Sequence, residues 1–351
     1  MIELEFMIRG DSTSFLRPPP ERRLSLFNNA LCLRSMPKFT KEFVKEYTAK
    51  HRIAEELTKV VNTCLNDNEA APLARISHEL APLPQPALAP QGRRRMFVGG
   101  NWKCKGTRKS IVELVGELNK IGPQVPADTE VVIFPSFLYI DLVSRLLGTP
   151  FTVGAQNCWD TAEPGEHTGC VTAQALSDFG VGWVLLGHSD RRNSLGETSS
   201  LIGQKTKQAL AAGLSVNLTV GETRAQRDAM EYLQALEAQL DPVARELEKQ
   251  PSDWERVVIA YEPVWAIGEG ATPCTPEQAQ EVHAHIRTWL AAATSPDIAA
   301  TTRVVYTGSV TAANCASFIQ MPDVDGFVCG RASLTASDLL TVACCRADAA
   351  L

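Results

Sequence analysis

Three polar side chains follow apolar, strand-like runs and have the types that are needed to move a proton next to a carbonyl group. Glu262 ends the run VVIAYE, where partial desolvation raises the pKa of a carboxylate and suits it to act as a general base. His188 ends the run WVLLGH, where a neutral imidazole can donate a hydrogen bond to an oxygen that becomes negative. Lys103 follows Asn101 after the first run and supplies a cation for an anionic substrate.

Each of these residues, taken alone, also has an ordinary structural interpretation. A glutamate at a strand end is equally typical of a salt bridge, a single histidine more often has no catalytic role, and a single lysine is usually solvated. Glycine-bearing turns around Gly268, Gly308-Ser309 and Gly330 offer backbone N–H groups to a phosphate at three further strand ends. The interpretation as a site therefore depends on all these strand ends lying on one face.

Downstream of residue 95, eight short β-rich apolar runs alternate with longer segments of helical periodicity. The runs are FVGGNWK from Phe97, VVIFPS from Val131, TVGAQN from Thr152, WVLLGH from Trp183, SVNLTVG from Ser215, VVIAYE from Val257, RVVYTGS from Arg303 and GFVCG from Gly326. Near-continuous apolar strands indicate a parallel sheet that is covered by helices, and eight such units favour closure into an α/β barrel. In such a barrel Lys103, His188, Glu262 and Ser309 lie at the C-terminal ends of the strands, where active sites form.

Composition excludes several classes of function. The chain has 351 residues, 44% of them hydrophobic, and a formal net charge of -6 without a long basic run, which argues against nucleic-acid binding. No apolar run is long enough for a membrane span, and the first thirty residues lack a secretory signal, so the cytoplasm is the expected location. The ten cysteines lack metal-ligand spacing and indicate reduced thiols.

The part of the chain before residue 95 differs in composition from the rest. Its first segment carries Pro18-Pro19-Pro20 and mixed charge without a sustained period, which is typical of disorder, and Met36 is an alternative start to Met1. The predicted organisation is a disordered leader at 1–39, a helical hairpin at 40–80, a Pro- and Ala-rich linker at 81–94 and the barrel at 95–351.

The hairpin that is predicted at residues 40–80 cannot bury its apolar stripe alone. Its pattern HRIAEELTKVVN…APLARISHEL faintly resembles the dimerisation and docking hairpin of cyclic-AMP-dependent kinase regulatory subunits, which implies a scaffold partner and cytoskeletal anchoring. A helix packed on the barrel and an organelle-targeting leader are the alternatives, although Glu3, Glu5 and Asp11 are unusual in an acid-poor transit peptide.

Between Arg95 and Ala343, six segments resemble signature segments of the triosephosphate isomerase family, in family order and at family spacing. They are FVGGNWK, AQNC, LLGHSDRR, GETRAQR, AYEPVWAIG and DGF. The resemblance implies a TIM barrel that interconverts dihydroxyacetone phosphate and D-glyceraldehyde 3-phosphate through an enediolate, in glycolysis and gluconeogenesis, without a cofactor or metal. It also implies a homodimer, in which a third loop around Thr168 and Gly169 reaches the neighbouring subunit.

The resemblance further implies a role for each matching residue, in a mechanism for which this family is a standard example. Glu262 would shuttle the proton, His188 would polarise the carbonyl group, and Lys103 with Asn101 would stabilise negative charge. A lid from Pro263 to about Thr272 would close over the phosphate and exclude water. The implied phosphate-binding residues are Gly268, Ser309, Gly330 and Arg331, and the implied supporting residues are Asp190, Glu197 and Tyr306.

Several residues depart from the family pattern at these positions. Asp190 replaces a longer glutamate, so we expect it to meet Lys103 less closely, and Cys170 replaces a glutamate of the third loop, where it alters dimer contacts. Thr307 and Arg331 replace glycines that border the phosphate. The C-terminal hinge of the lid is about one residue longer than usual and gains a proline, which should alter the kinetics of closure.

Two hypotheses about function therefore stay open. The first is an active triosephosphate isomerase, and the retention of Lys103, His188 and Glu262 favours it. The second is a low-activity or inactive isomerase-like scaffold that docks through the hairpin at residues 40–80.

Overall fold

In the computed structural model, eight parallel strands close into a barrel in sequence order. The structure describes residues 94–161, 165–268 and 270–348. The strands are β1 (Met96–Asn101), β2 (Thr129–Phe134), β3 (Phe151–Ala155), β4 (Trp183–Leu186), β5 (Ser215–Val220), β6 (Val257–Tyr261), β7 (Arg303–Tyr306) and β8 (Gly326–Cys329). The barrel closes where Phe97 of β1 pairs with Gly326 of β8. The predicted TIM (β/α)8 barrel is confirmed, and each predicted run begins within two residues of an observed strand.

Helices cover the outside of the barrel. They are α1 (Arg108–Ile121), α2 (Ile140–Leu146), α3 (Ala173–Asp178), α4 (Ser189–Leu195), α5 (Ser199–Ala211), α6 (Arg224–Asp228), α7 (Tyr232–Leu247), α8 (Pro276–Ala293), α9 (Pro296–Thr301), α10 (Cys315–Ile319) and α11 (Ala336–Asp348). Among the described residues, none of the helices has the length and apolar character that a membrane crossing requires. The predictions for residues 1–39, 40–80 and 81–93 lie outside the described residues.

The strands are apolar on both faces because each face packs into a different layer of the core. In β6, Val258 and Ala260 belong to a cluster inside the barrel, whereas Val257, Ile259 and Tyr261 pack against the helices outside. This alternation follows from the period of two residues in a strand. It explains why the sequence of each strand reads as a nearly continuous apolar run.

A network of charged groups ties the N-terminal end of the barrel together. Arg94 Nε donates to Asp325 Oδ1 at 2.7 Å, and the guanidinium group of Arg287, on α8, donates to Asp323 and Asp325 at 2.6 Å each. Asp325 also accepts the backbone N–H of Val304 at 2.9 Å. These contacts join the segments that precede β1, β7 and β8 at the end opposite the strand C-termini.

His283 of α8 is completely buried next to this network. Its Nδ1 lies 3.0 Å from the backbone oxygen of Asp323, and its ring meets the ring of Tyr261 edge to face, with centroids 5.9 Å apart. Burial lowers the pKa of His283 to about 4, because a buried imidazolium ion loses its hydration. The imidazole is therefore neutral at physiological pH, and Nδ1 is the protonated nitrogen that donates to Asp323.

Candidate active site

A cavity of about 730 Å³ opens at the C-terminal ends of the strands. It is lined by all eight residues that were predicted to be catalytic or phosphate-binding, namely Asn101, Lys103, His188, Glu262, Gly268, Ser309, Gly330 and Arg331. It is also lined by residues that sequence reasoning did not single out, among them Trp102, Lys105, Ile267 and Leu334. The residues that follow separate strands thus line one cavity, which supports the interpretation that they form a single site.

The loop after β1 holds Lys103 in a rare backbone conformation. Lys103 has a φ of 50°, in the left-handed region, which is unfavourable for a residue with a side chain. The side-chain oxygen of Asn101 accepts the Lys103 N–H at 3.0 Å, and the side-chain amide of Gln156 donates to the Lys103 carbonyl oxygen at 2.9 Å. These two amide side chains hold the turn that aims Lys103 into the cavity.

Asp190 reaches Lys103 in spite of its short side chain. Lys103 Nζ lies 3.0 Å from Asp190 Oδ2, so the looser contact that was expected from replacing glutamate is not observed. Partial burial alone would raise the pKa of Asp190, but the hydrogen bond from Lys103 and the positive charge of Lys103 hold it below its usual value. Asp190 does not line the cavity itself; it acts on the site through Lys103.

His188 lies at the N-cap of α4, which fixes the tautomer of its ring. The backbone N–H of Asp190 donates to His188 Nδ1 at 3.1 Å, so Nδ1 is an acceptor and carries no proton. Nε2 therefore carries the proton of the neutral ring, and it lies 3.3 Å from Glu262 Oε1. The ring thus points its N–H into the cavity as a hydrogen-bond donor.

Glu262 follows β6 and is held by backbone contacts to the end of β5. Its N–H donates to the Val220 carbonyl oxygen at 2.8 Å. The next residue of that loop must be glycine, because a Cβ atom at Gly221 would overlap the carbonyl oxygen of Glu262. The carboxylate is almost fully buried and accepts the backbone N–H of Ser189 at 2.9 Å through Oε2. Its position is therefore set by main-chain atoms from two neighbouring strand ends.

The turns at Ser309 and Gly330 and the side chain of Arg331 complete the wall of the cavity. Asn314 donates to the Ser309 carbonyl oxygen at 2.8 Å, and the Ser333 hydroxyl group donates to the Gly330 carbonyl oxygen at 2.7 Å, so both turns are braced. Arg331 lines the cavity with an exposed side chain. Thr307, which also lines the cavity, donates its backbone N–H to the backbone carbonyl oxygen of Tyr261 at 2.8 Å.

The other two supporting residues lie outside the cavity wall. Glu197 is buried beside it and binds two cations, with Oε1 lying 2.7 Å from Lys205 Nζ and 2.7 Å from Arg191 Nη2. Burial alone would raise the pKa of Glu197, but these hydrogen bonds outweigh it and lower the pKa. Tyr306 is buried and stacks on Phe318, with ring centroids 4.4 Å apart.

Sequence reasoning missed several residues that position the site. Ser189, whose N–H donates to the Glu262 carboxylate, follows His188 in LLGHSDRR and is the first residue of α4. A position at a helix N-terminus was the signal from which this role could have been predicted. Gln156 stands at the end of β3 in AQNC. The close approach of Gly221 to Glu262 had no local signal, because it depends on two strand ends meeting.

Comparison with known proteins decides the family. The family model described as Triosephosphate isomerase matches residues 96–345 of this chain. The chain belongs to the triosephosphate isomerase family. A relative from Secale cereale, named chloroplastic triosephosphate isomerase, is 45% identical over 258 residues, which are 74% of this chain and 84% of the relative. A relative from Oryza sativa subsp. japonica, named cytosolic triosephosphate isomerase, is 45% identical over 242 residues, 69% of this chain and 93% of the relative.

The geometry of the cavity agrees with membership of the triosephosphate isomerase family. A buried carboxylate, a neutral imidazole N–H and a lysine ammonium group converge on one space. In the part of the chain that the structure describes, no group of three or more His, Cys, Asp or Glu residues is placed to hold a metal ion. The chemistry that the described residues themselves support is proton transfer at a carbon beside a carbonyl group.

Proposed function

We propose that this chain interconverts dihydroxyacetone phosphate and D-glyceraldehyde 3-phosphate, and that Glu262 is its catalytic base. The observation that carries the proposal is the pairing of the buried Glu262 carboxylate with the His188 Nε2–H at 3.3 Å, on the wall of a cavity that Lys103 also lines. A base and a hydrogen-bond donor at this separation can address the carbon and the oxygen of the same carbonyl unit.

The reaction moves one proton between two neighbouring carbons. The Glu262 carboxylate removes a proton from the carbon beside the carbonyl group, and the electron pair moves onto the carbonyl oxygen to give an enediolate. The His188 N–H and the Lys103 ammonium group stabilise the oxygen as it becomes negative. The hydroxyl proton of the first carbon then passes to the oxygen of the second carbon, and Glu262 returns the carbon-bound proton to the second carbon. The carbonyl and hydroxyl groups are thereby exchanged, and no atom is gained or lost.

The phosphate of the substrate binds at the opposite side of the cavity from the base. Gly268, Ser309 and Gly330 line the cavity, where their backbone N–H groups would bind the phosphate, and Arg331 adds a positive side chain. Residues 263–272 act as the lid, which closes over the phosphate and keeps water from the enediolate. The Arg331 guanidinium group takes part as a second cation besides Lys103.

A low-activity or inactive scaffold is the weaker alternative. A scaffold has no need for an imidazole of defined tautomer, a carboxylate held by two strand ends, or a lysine in a strained turn. The retention of all three favours an active isomerase.

We further propose that the protein is a cytoplasmic homodimer. Leu138, which is 80% exposed, and its neighbour Phe137 present apolar groups after β2 that a second subunit would cover. Residues 40–80 are proposed as a docking segment for a scaffold partner or an anchoring structure. Sedimentation of the full-length protein over a range of concentrations tests the dimer, because a mass of one chain at all concentrations would contradict it.

The test of function is a coupled assay of the purified full-length protein with glyceraldehyde 3-phosphate. Glu262→Gln keeps the shape of the side chain and removes its basicity, so we expect turnover to fall by about 10²- to 10⁴-fold. The matched control is Glu246→Gln, the same change at a surface carboxylate that pairs with Lys207 at 2.8 Å. We expect this control to retain full activity.

Two results would overturn the proposal. The first is a folded wild-type protein without activity above that of Glu262→Gln, which would revive the scaffold hypothesis. The second is near-normal turnover in Glu262→Gln with an unchanged circular dichroism spectrum, which would show that another residue is the base.

A further inference from the structure

The indole ring of Trp265, three residues after Glu262, lies against two arginine side chains. The guanidinium carbon of Arg224 lies 5.1 Å from the ring centroid, and that of Arg227 lies 5.2 Å from it. Arg224 Nη2 also donates to the carbonyl oxygen of Trp265 at 3.3 Å. Trp265 stands at the N-terminal end of the lid, so these contacts act on the hinge about which the lid would move.

The end of β5 and the loop that follows it also form hydrogen bonds to the segment from Glu262 to Trp265. The N–H of Glu262 donates to Val220, and the N–H of Val264 donates to the Glu222 carbonyl oxygen at 3.2 Å. Trp265 Nε1 then donates to the buried carboxylate of Glu222 at 2.6 Å. Arg224 adds the last contact of this series, because its guanidinium group lies over the indole ring and donates to the carbonyl oxygen of Trp265.

The two arginines differ in what else depends on them. The Arg227 side chain is 15% exposed and forms ion pairs with Glu222 at 3.4 Å and with Glu281 at 3.7 Å, so its loss would leave a buried carboxylate without its cation. The Arg224 side chain is 52% exposed, and its ion pair in the described part of the chain is a 3.9 Å contact with Asp228 on the surface. Arg224 is therefore not required to neutralise a buried charge.

We propose that Arg224 is a positioning residue that fixes the hinge of the lid and, through it, the Glu262 carboxylate. The inference rests on the proposed isomerase function. A guanidinium group stacked on an indole ring and bonded to its main chain restrains both the side chain and the backbone of Trp265. Without it, the hinge samples more conformations, so the base is in place and the lid is closed for a smaller fraction of the time.

A lid that closes incompletely has a chemical signature. When the enediolate is exposed, its electron pair can expel the phosphate instead of taking back a proton. The bond between the third carbon and the ester oxygen of the phosphate breaks, and the phosphate leaves with the bonding electron pair. The remaining three-carbon enol gains a proton on carbon and loses one from oxygen to become methylglyoxal. The ratio of inorganic phosphate released to isomer formed therefore reports lid closure, and it does not depend on how much of the enzyme is folded.

The test compares Arg224→Leu, Arg224→Lys and Asp228→Asn in the full-length chain. For Arg224→Leu we expect kcat to fall about five-fold, the KM to change less than about two-fold, and the phosphate-to-isomer ratio to rise about five-fold. Arg224→Lys keeps the cation over the ring and should recover part of each effect. Asp228→Asn removes the surface ion pair of Arg224 and leaves the contacts to Trp265, so it should match the wild type.

The proposal is overturned if Arg224→Leu matches Asp228→Asn in both kcat and the phosphate-to-isomer ratio. It is also overturned if Arg224→Leu lowers activity and thermal stability together with an unchanged ratio, since that is the pattern of a structural role. Amide hydrogen exchange at residues 264–268 keeps this test separate from that of the proposed function. If the wild type lacks isomerase activity, unchanged exchange in Arg224→Leu would still refute the hinge role, and faster exchange would support it.

Discussion

His283 should make the stability of the barrel depend on pH at mildly acidic values. The folded protein keeps this imidazole neutral, because burial lowers its pKa from the usual 6.5 to about 4, while the unfolded chain protonates it normally. The unfolded state therefore binds more protons than the folded state below about pH 6.5, so stability must fall as the pH falls. The charged groups around the ring are Asp323, Asp325 and Arg287.

The magnitude follows from the two pKa values. Between about pH 7.5 and pH 5, the contribution of His283 to the free energy of unfolding falls by about 2 kcal/mol, at 1.36 kcal/mol for each pH unit in which only the unfolded state is protonated. The range ends near pH 5, above the pKa range of ordinary carboxyl groups, so that histidine protonation dominates it. The loss would be complete below the folded pKa of about 4.

Urea unfolding at a series of pH values, at one fixed protein concentration, measures this contribution. The comparison is His283→Asn, whose amide nitrogen corresponds in position to Nδ1 and can still donate to the Asp323 carbonyl oxygen, but which does not titrate. The wild type should lose about 2 kcal/mol more than the variant over this range, so that the two curves converge as the pH falls. Parallel curves would refute the assignment of His283 as a buried neutral group.

Two further predictions concern residues that support the site. Glu197→Gln leaves the ammonium group of Lys205, which is 2% exposed, without its carboxylate, and should lower the free energy of unfolding by about 3–5 kcal/mol in urea titration. Adding Lys205→Met should restore part of this loss, and strictly additive effects would contradict the pairing. Gly221→Ala forces the β5 loop away from the Glu262 backbone, so turnover should fall at least about ten-fold while circular dichroism stays near that of the wild type. Normal turnover in this variant would disprove the close approach.

The sequence was sufficient to predict the eight strands because a buried parallel strand is recognisable within a few residues. The four residues Trp183–Leu186 are all buried, as are the five residues Val257–Tyr261, and each stretch reads as an apolar run without an interruption. The candidate site could also be predicted, since the topology of a closed parallel barrel carries every strand end to one face. Local pattern and a general rule were enough for these features.

Contacts between distant segments could not be predicted in the same way. Arg224 and Trp265 are 41 positions apart, and the periodicity around each residue reports only that a face is buried, not what covers it. The tautomer of His188 likewise depends on the direction of one backbone N–H at the start of α4. The proposed catalytic roles, the dimer and the docking segment at residues 40–80 stay predictions.

The left-handed turn at Lys103 has a consequence for anyone who engineers this protein. At a φ of 50°, glycine or asparagine has less backbone strain than lysine, so replacing Lys103 by either residue should raise the free energy of unfolding. A library that is selected for heat resistance alone would therefore enrich variants that have lost the ammonium group of the active site. At this position, a change that raises thermal stability lowers turnover, so a selection scheme has to require both properties at once.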